Sequence, residues 1–230
     1  MSRKFVILSC LLATVLLTIR GTAGEMIDRI VATVNDRIIL QSDWDEALCY
    51  EAFMSGRSLE QFTLEDRKST LNRLIDQELL REQMRGGSDS SAVVSEQIAK
   101  RVAEIRRQYS IPQGEQEWRD ILARHGLTED GLKSHIMLEL DLMRLVDSRL
   151  RPTVTIDSKS IESYYSQKLI PQLRQAGARE VPLAEVTPKI KELLTQQKMN
   201  QMLTAWLQNL RAGSDIHMDT ASLGLGGQPQ

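Results

Sequence analysis

Cysteine and aromatic residues are scarce in this sequence. It has 2 cysteines in 230 residues, and aromatic residues make up 4% of the chain. Cys10 lies in an apolar leader, so the rest of the chain keeps only Cys49 and has no cysteine with which to form an intramolecular disulfide. We expect Cys49, which follows Leu48 in an apolar helical stretch, to be a small core residue. The stability of the fold must therefore come from its apolar core.

The sequence also lacks an excess of charge of either sign. It has 29 basic and 31 acidic residues, for a net charge of −2, and removal of the basic residues of the leader would make it more acidic. Proteins that bind nucleic acid usually concentrate positive charge on one face or along one helix. We therefore predict no nucleic-acid partner.

No motif for a cofactor or a catalytic centre is visible in the sequence. The glycines at 224–227 lie in the terminal tail rather than between a strand and a helix, and there is no Gly-x-Ser-x-Gly elbow. The three histidines, His125, His135 and His217, do not have the spacing of zinc ligands. We predict that no cofactor and no metal is bound, and the sequence leaves enzyme activity doubtful.

Long hydrophobic runs are absent except at the N-terminus. Ser2-Arg3-Lys4 is a short positive start, residues 5–19 are mostly apolar, and Gly21-Thr22-Ala23 supplies small residues at the exit. This pattern is typical of a secretory signal peptide, here residues 1–23, and the run is short for a membrane span. We expect cleavage and no stable membrane span afterwards, with a retained anchor as the alternative.

The remaining sequence predicts a mostly α fold with one small β-hairpin. Leu, Met, Glu, Gln, Lys and Arg, which favour helices, are abundant. Residues 27–34 and 37–40 are rich in β-branched residues, and Asn35-Asp36 between them suits a tight two-residue turn. An isolated hairpin is marginal in water, so it must pack on helices.

Helix boundaries are marked by capping residues and by glycine or proline. We predict helix starts at Ser42, Thr63, Thr128, Asp157 and Thr187-Pro188, and helix ends at Gly56, Ile111-Pro112, Gly126, Pro152 and Gly213. Residues 85–91 are predicted to be a flexible loop.

Two helices carry extended apolar faces. The predicted buried face of the helix after Thr128 consists of Leu132, Ile136, Leu140, Met143, Val146 and Leu150. The last helix is apolar over a broad face that includes Ile190, Leu193, Leu194, Met199, Met202, Leu203, Trp206, Leu207 and Leu210. The predicted domain organisation is a helical module with the hairpin at 24–151, a short helix and linker at 152–187, the last helix at 188–216 and a disordered tail at 217–230.

The order of these elements resembles that of SurA-type chaperones. The resemblance begins with the hairpin followed by Gln41-Ser42-Asp43 and the sequence Leu-Asn-Arg-Leu-Ile-Asp-Gln-Glu-Leu-Leu at 71–80. It continues with the helical pair around 118–132, Ser163-Tyr164-Tyr165 and the last helix, so that it covers roughly residues 26–218. It implies that the last helix packs back on the N-terminal module. Family members usually insert a parvulin-type isomerase domain before that helix, whereas here residues 166–182 are too few to bury a core.

The methionines on the long helices are candidates for binding apolar clients, because methionine is flexible and polarizable. The candidate client-binding residues are Trp118, Met137, Met143, Tyr164, Tyr165, Met199 and Met202. Each of these methionines could instead simply fill the core.

The resemblance implies a periplasmic holdase that binds unfolded or nascent envelope proteins, including outer-membrane proteins, in an apolar groove without ATP. Two alternatives remain: a divergent parvulin-type prolyl isomerase, and a dedicated interaction subunit for one folded envelope partner. A homodimer that exchanges the last helix is also conceivable.

Overall fold

The computed structural model describes residues 28–84, 92–110 and 114–219, with only the backbone described at 92 and 93. The predicted signal peptide, the loop at 85–91, the stop at Ile111-Pro112 and the tail beyond 219 lie outside these residues. The described part is mostly helical with a small antiparallel sheet, which confirms the predicted fold class.

The sheet has three strands in the order β2-β1-β3. Strands β1 (Ile30–Val34) and β2 (Arg37–Leu40) form the predicted hairpin, with Asn35 in the left-handed conformation at φ 52°. Strand β3 (Ile216–Met218) pairs antiparallel with β1. The sequence analysis instead assigned residues 216–218 to the end of the last helix and the tail. Three residues carry too little local pattern to predict a strand, and β1, far away in sequence, supplies the pairing.

The helices account for most of the described residues. They are α1 (Gln41–Ser55), α2 (Leu64–Gln83), α3 (Ala92–Gln108), α4 (Glu115–Arg124), α5 (Glu129–Leu150), α6 (Ser158–Tyr164), α7 (Ile170–Gln175) and α8 (Leu183–Ala212). Short 3-10 turns lie at Leu59–Gln61 and Arg151–Thr153, and a π-helical turn at Tyr165–Leu169 joins α6 to α7. No helix of the described ranges is long and apolar enough to cross a membrane.

Three of the predicted caps form as expected. The side chains of Thr63, Thr128 and Asp157 accept hydrogen bonds from backbone N–H groups in the first turns of α2, α5 and α6, at 3.1, 3.0 and 2.6 Å. Gly56 follows α1 in the left-handed conformation at φ 67° and its N–H bonds back to the helix. These local signals therefore mark four of the helix boundaries.

Ser42 does not cap α1. The helix begins one residue earlier, at Gln41, and Ser42 donates through its backbone N–H (3.2 Å) and its hydroxyl to the carboxylate of Asp28. Asp43 accepts a hydrogen bond from the N–H of Leu40 at 2.9 Å. Two carboxylates thus accept hydrogen bonds from N–H groups at this helix end, one of them from the segment before β1.

The last helix begins before the predicted Thr187-Pro188. It starts at Leu183, so Pro188 lies inside α8 and removes one helical hydrogen bond. The hydroxyl of Thr187 donates to the carbonyl of Leu183 at 2.7 Å. Proline was predicted to mark the first turn, but a proline within the first two turns is also accommodated here.

Two apolar clusters form the core. The first lies between the sheet, α1 and α2, and its buried residues are Val31, Ala32, Val34, Ile39, Trp44, Leu48, Ala52, Phe62, Leu71, Ile75 and Leu79. The second joins α1 to α3, α4 and α5, and it contains Tyr50, Phe53, Val102, Ile105, Trp118, Leu122, Leu127, Leu132 and Ile136. Cys49 is half-buried beside the second cluster rather than fully buried, and burial raises the pKa of its thiol.

The C-terminal segment returns to the N-terminal module, as predicted. Leu210 packs against the first cluster, and Arg211 forms an ion pair with Asp76 of α2 at 2.6 Å. Residues 152–187 are helices and loops with no strand, so no compact domain is inserted before α8. Residues near the two ends of the described chain therefore pack in the same apolar cluster.

Candidate functional site: an apolar groove between two helices

The apolar face of α5 is only partly covered. Leu132, Ile136 and Leu150 are buried as predicted, but Met143 in the middle of the same face is 60% exposed. The first half of α5 belongs to the second core cluster, which includes residues of α1, α3 and α4. The expectation that the whole face is buried is thus wrong at Met143, and Leu140 and Val146 are only half-buried.

An open groove of about 910 Å³ runs along this exposed part of α5. One wall is α5 and the other is α8, and single residues of α2 and α3 complete the lining. Its apolar lining consists of Leu80, Leu140, Leu142, Met143, Val146, Met199 and Leu203. Met143 is exposed, unbranched and flexible, so it can adapt to apolar groups of different shape.

The charged side chains in the groove are paired with other residues of the same chain. Arg144 donates to Asp141 at 2.9 Å and to Gln97 at 3.1 Å. Arg151 bonds Asp147 at 2.6 Å. The same guanidinium also reaches Glu192 on α8 at 3.2 Å, and its hydrogen bonds to Asp147 and then to Glu192 raise the pKa of Arg151. The groove therefore presents no unpaired charge among the residues that line it.

Amide side chains lie on the α8 wall of the groove. Gln196 and Asn200, one helical turn apart, both line it, and Gln196 donates to Asn200 at 3.2 Å. Further along α8, the guanidinium of Arg149 from the end of α5 lies 4.7 Å from the ring centre of Trp206. This cation–π contact and the Arg151–Glu192 ion pair hold the end of α5 against α8.

The structure brings two of the seven candidate client-binding residues into the groove. Met143 and Met199 line it, although Met199 is only 3% exposed. Met202 is half-buried on α8 and does not line the groove. Met137 is 44% exposed on α5 outside it.

The aromatic candidates lie elsewhere. Trp118 is fully enclosed in the second core cluster, where its ring meets Phe53 edge-on, so it is not accessible in this conformation. Tyr164 lines a separate shallow pocket of about 410 Å³ beside α6, and Tyr165 donates its hydroxyl to the carbonyl of Val181 at 2.8 Å. Neither tyrosine lines the groove of α5 and α8.

The polar residues of the groove were not among the sequence-based candidates. Gln97, Gln196 and Asn200 resemble ordinary solvent-exposed residues of amphipathic helices, and Leu80 lies on a helix distant in sequence. The i, i+4 spacing of Gln196 and Asn200 was a usable signal, because it places two amides on one helix face.

A second pocket of about 560 Å³ lies between α1, α2 and α5 and is more polar. Its lining includes Glu51 bound to Arg73, and Asp66 paired with Arg57 at 3.0 Å. The hydrogen bond from Arg57 lowers the pKa of Asp66, and burial raises the pKa of Tyr50 in the same pocket. These pairs join α1 and its following loop to α2, which is a structural role.

The histidines make local contacts. His125 at the end of α4 has Nδ1 2.9 Å from the carbonyl of Ile121, and His135 stacks on Tyr50 and lies 3.2 Å from Glu46. His217, which the sequence analysis left without an evident partner, is 3.0 Å from Asp215. Within the described ranges no group of three or more His, Cys, Asp or Glu residues is arranged to hold a metal ion.

The described residues thus form a mostly helical module with an open, largely apolar groove between α5 and α8. No family model matches the sequence. Over 200 residues the chain is 24% identical to proteins named Chaperone SurA from Yersinia pestis bv. Antiqua (strain Nepal516) and Yersinia pseudotuberculosis serotype I (strain IP32953). The match covers 84% of this chain and 44% of those proteins, so the chain spans less than half the length of the curated relatives it matches. The similarity is distant, and it is to a chaperone.

Proposed function

We propose that this chain is a holdase-type chaperone of the periplasm that binds unfolded segments of envelope and outer-membrane proteins. The segments would bind in the groove between α5 and α8. Similarity to Chaperone SurA over most of the chain supports a chaperone role, and the leader-like N-terminal sequence supports export.

The observation that carries this proposal is the 60% exposure of Met143 on an apolar face of α5 that is buried at Leu132, Ile136 and Leu150. Concave sites lined mainly by apolar side chains are the usual places at which proteins bind ligands. Met143, Leu142, Val146 and Leu203 meet in one concave site, and methionine adapts to side chains of many shapes. A client whose sequence varies can therefore be accommodated without exact complementarity.

The mechanism is reversible burial of client side chains in the groove. Binding the unfolded chain lowers its free concentration, and aggregation depends steeply on that concentration. Ordering a disordered client costs entropy, so each contact is weak and release needs no chemical energy. The sequence has no nucleotide-binding motif, in keeping with an ATP-independent cycle.

Light scattering of a urea-unfolded outer-membrane protein on dilution tests the proposal. We expect equimolar chain to suppress aggregation, and Met143→Lys to weaken suppression because it places a charge in the apolar groove. Met137→Lys is the matched control, since Met137 is exposed on the same helix but outside the groove.

The outcomes separate the proposal from its competitors. No suppression by the unmodified chain would exclude a holdase. Equal loss with both lysine variants would place the client site on the α5 surface in general, not in the groove.

A further inference from the structure

We propose that α4 opens on its own, from its N-terminal end, while the rest of the described fold stays closed, and that this opening brings Trp118 to the surface. The inference does not rest on the proposed function, because it concerns the second core cluster and not the groove of α5 and α8. Two unpaired donors beneath α4, the few side chains that hold it and the different attachment of its two ends support it.

Two side-chain donors beneath α4 have no acceptor. The indole Nε1 of Trp118 and the guanidinium Nε of Arg106 are buried and lack a hydrogen-bond partner among the residues that the structure describes. The two groups are neighbours, because the guanidinium of Arg106 lies 5.3 Å from the ring centre of Trp118. A buried donor without an acceptor loses its hydration and gains no bond in return. The closed position of α4 is therefore weakened at the residue that anchors it.

Few side chains hold α4 in place. Trp118 and Leu122 are the buried residues of this ten-residue helix, whereas six of the fifteen residues of α1 are buried. Within the described ranges, the one hydrogen bond from an α4 side chain to another element joins Glu115 to Arg106 at 2.8 Å. The Glu115 side chain is 63% exposed, and exposed ion pairs contribute little to stability. Segments with few buried apolar contacts open at a lower free energy than the rest of a fold.

The two ends of α4 are attached differently. Leu127, shortly after the C-terminal end, is buried in the second cluster, and a Cβ at Gly126 would lie 3.2 Å from the Sγ of Cys49 on α1. Gly126 has a φ of 70°, which glycine adopts without strain. At the other end, Gly114 provides no side-chain cap. We therefore place the hinge at Gly126 and the moving end at the first turn of α4, which Glu115 ties to α3.

Opening satisfies the unpaired donors and uncovers an aromatic surface. Once α4 moves outward, water accepts hydrogen bonds from Trp118 and Arg106. Phe53, which stacks on Tyr109 at 4.8 Å and meets Trp118 edge-on at 6.0 Å, becomes accessible at the same time. The open form is the minor one, because closing buries Trp118 and Leu122.

Hydrogen exchange of the full chain, followed by NMR at urea concentrations below the unfolding transition, tests the inference. We expect the amides of Ile121 and Leu122 in α4 to exchange at least about tenfold faster than those of Leu48 in α1 and Ile75 in α2. Their rates should also depend less on urea, since local opening exposes less surface than global unfolding. Equal rates and equal urea dependence in the three helices would overturn the inference.

Glu115→Gln tests which end of α4 moves. It removes the carboxylate that pairs with Arg106, so we expect exchange in α4 to become about threefold faster while exchange in α2 stays unchanged. Glu117→Gln is the matched control, because Glu117 is an exposed acidic residue of the same first turn and forms no ion pair within the described ranges. Equal acceleration by both variants would overturn the assignment of the moving end.

Phenylalanine at each enclosed tryptophan tests the effect of the unpaired donor. Trp44, which is 4% exposed, donates its indole N–H to the carbonyl of Arg67 at 3.0 Å, whereas the N–H of Trp118 is unpaired. Trp44→Phe should therefore raise the equilibrium constant of urea unfolding, measured by circular dichroism, about fivefold more than Trp118→Phe does. An equal or larger effect of Trp118→Phe would overturn the inference, because the donor of Trp118 would then not weaken the closed form.

Discussion

The two halves of α5 carry the same kind of apolar face but have different surroundings. In the first half, Leu132 and Ile136 are enclosed in the second core cluster. In the second half, Met143 stays 60% exposed although it continues the same face, which is buried again only at Leu150. Periodicity states which residues share a face, but the number of elements that pack there decides whether the face becomes core or groove.

The difference follows from the number of helices that pack on each half of α5. The N-terminal module places α1, α3 and α4 against the first half of α5. The second half of α5 meets mainly α8, which is anchored on α2 by Leu210 and Arg211. One helix alone cannot cover the broad face that α5 presents, and the groove is the uncovered remainder.

The largest expected effect separates two residues that the sequence analysis treated alike. Trp118→Ala should lower the free energy of unfolding by about 3–5 kcal/mol, because a fully enclosed indole is replaced by a cavity. Met143→Ala should change it by less than about 0.5 kcal/mol, since Met143 is mostly exposed. Urea unfolding followed by circular dichroism measures both values. A loss at Met143 comparable to that at Trp118 would mean that the groove is part of the core.

A smaller loss of stability is expected for a change at Asn35. This residue links the hairpin turn to the end of α2 and to the segment before β3. Its side chain donates to the carboxylate of Glu82 at 2.9 Å and accepts from the N–H of Asp215 at 2.9 Å. Its backbone N–H also donates to the carbonyl of Asp215 at 2.7 Å. Asn35→Gly keeps the positive φ but removes the side-chain bonds, so we expect a loss of about 1–2 kcal/mol in urea unfolding.

Asp36→Gly is the control for this variant, because it changes the other residue of the same turn. It should cost less than the Asn35 variant, mainly through the greater freedom of glycine in the unfolded chain. Equal losses would show that turn entropy, and not the docking of the C-terminal segment, accounts for the effect of Asn35.

Much of this architecture could be read from local sequence signals. Thr63, Thr128, Asp157 and Gly56 mark helix boundaries through bonds to residues within one turn, so the sequence contains the whole interaction. Strand β3 could not be predicted in this way, since its pairing with β1 links residues that are far apart in the sequence.

The candidate site was harder to predict for the same reason. Met143 and Met199 were identified by residue type, but Trp118 was grouped with them although it is core. Burial depends on elements elsewhere in the chain, and no single helix reveals it. The amides Gln196 and Asn200 line a groove only because α5 lies opposite them.

The smallest expected effect concerns the contact that joins the open half of α5 to α8. The guanidinium of Arg149 lies over Trp206, and an exposed cation–π contact contributes about 0.5–1 kcal/mol. Arg149→Ala should therefore lower the free energy of unfolding by no more than that.

Loss of the Arg149 side chain should increase acrylamide quenching of tryptophan fluorescence, because Trp44 and Trp118 are buried and Trp206 is the accessible member of the three. Stronger quenching with nearly unchanged stability would confirm that this edge of the groove is held by a weak surface contact. A loss as large as that of a core residue would mean that α8 closes the second half of α5 as firmly as the N-terminal helices close the first.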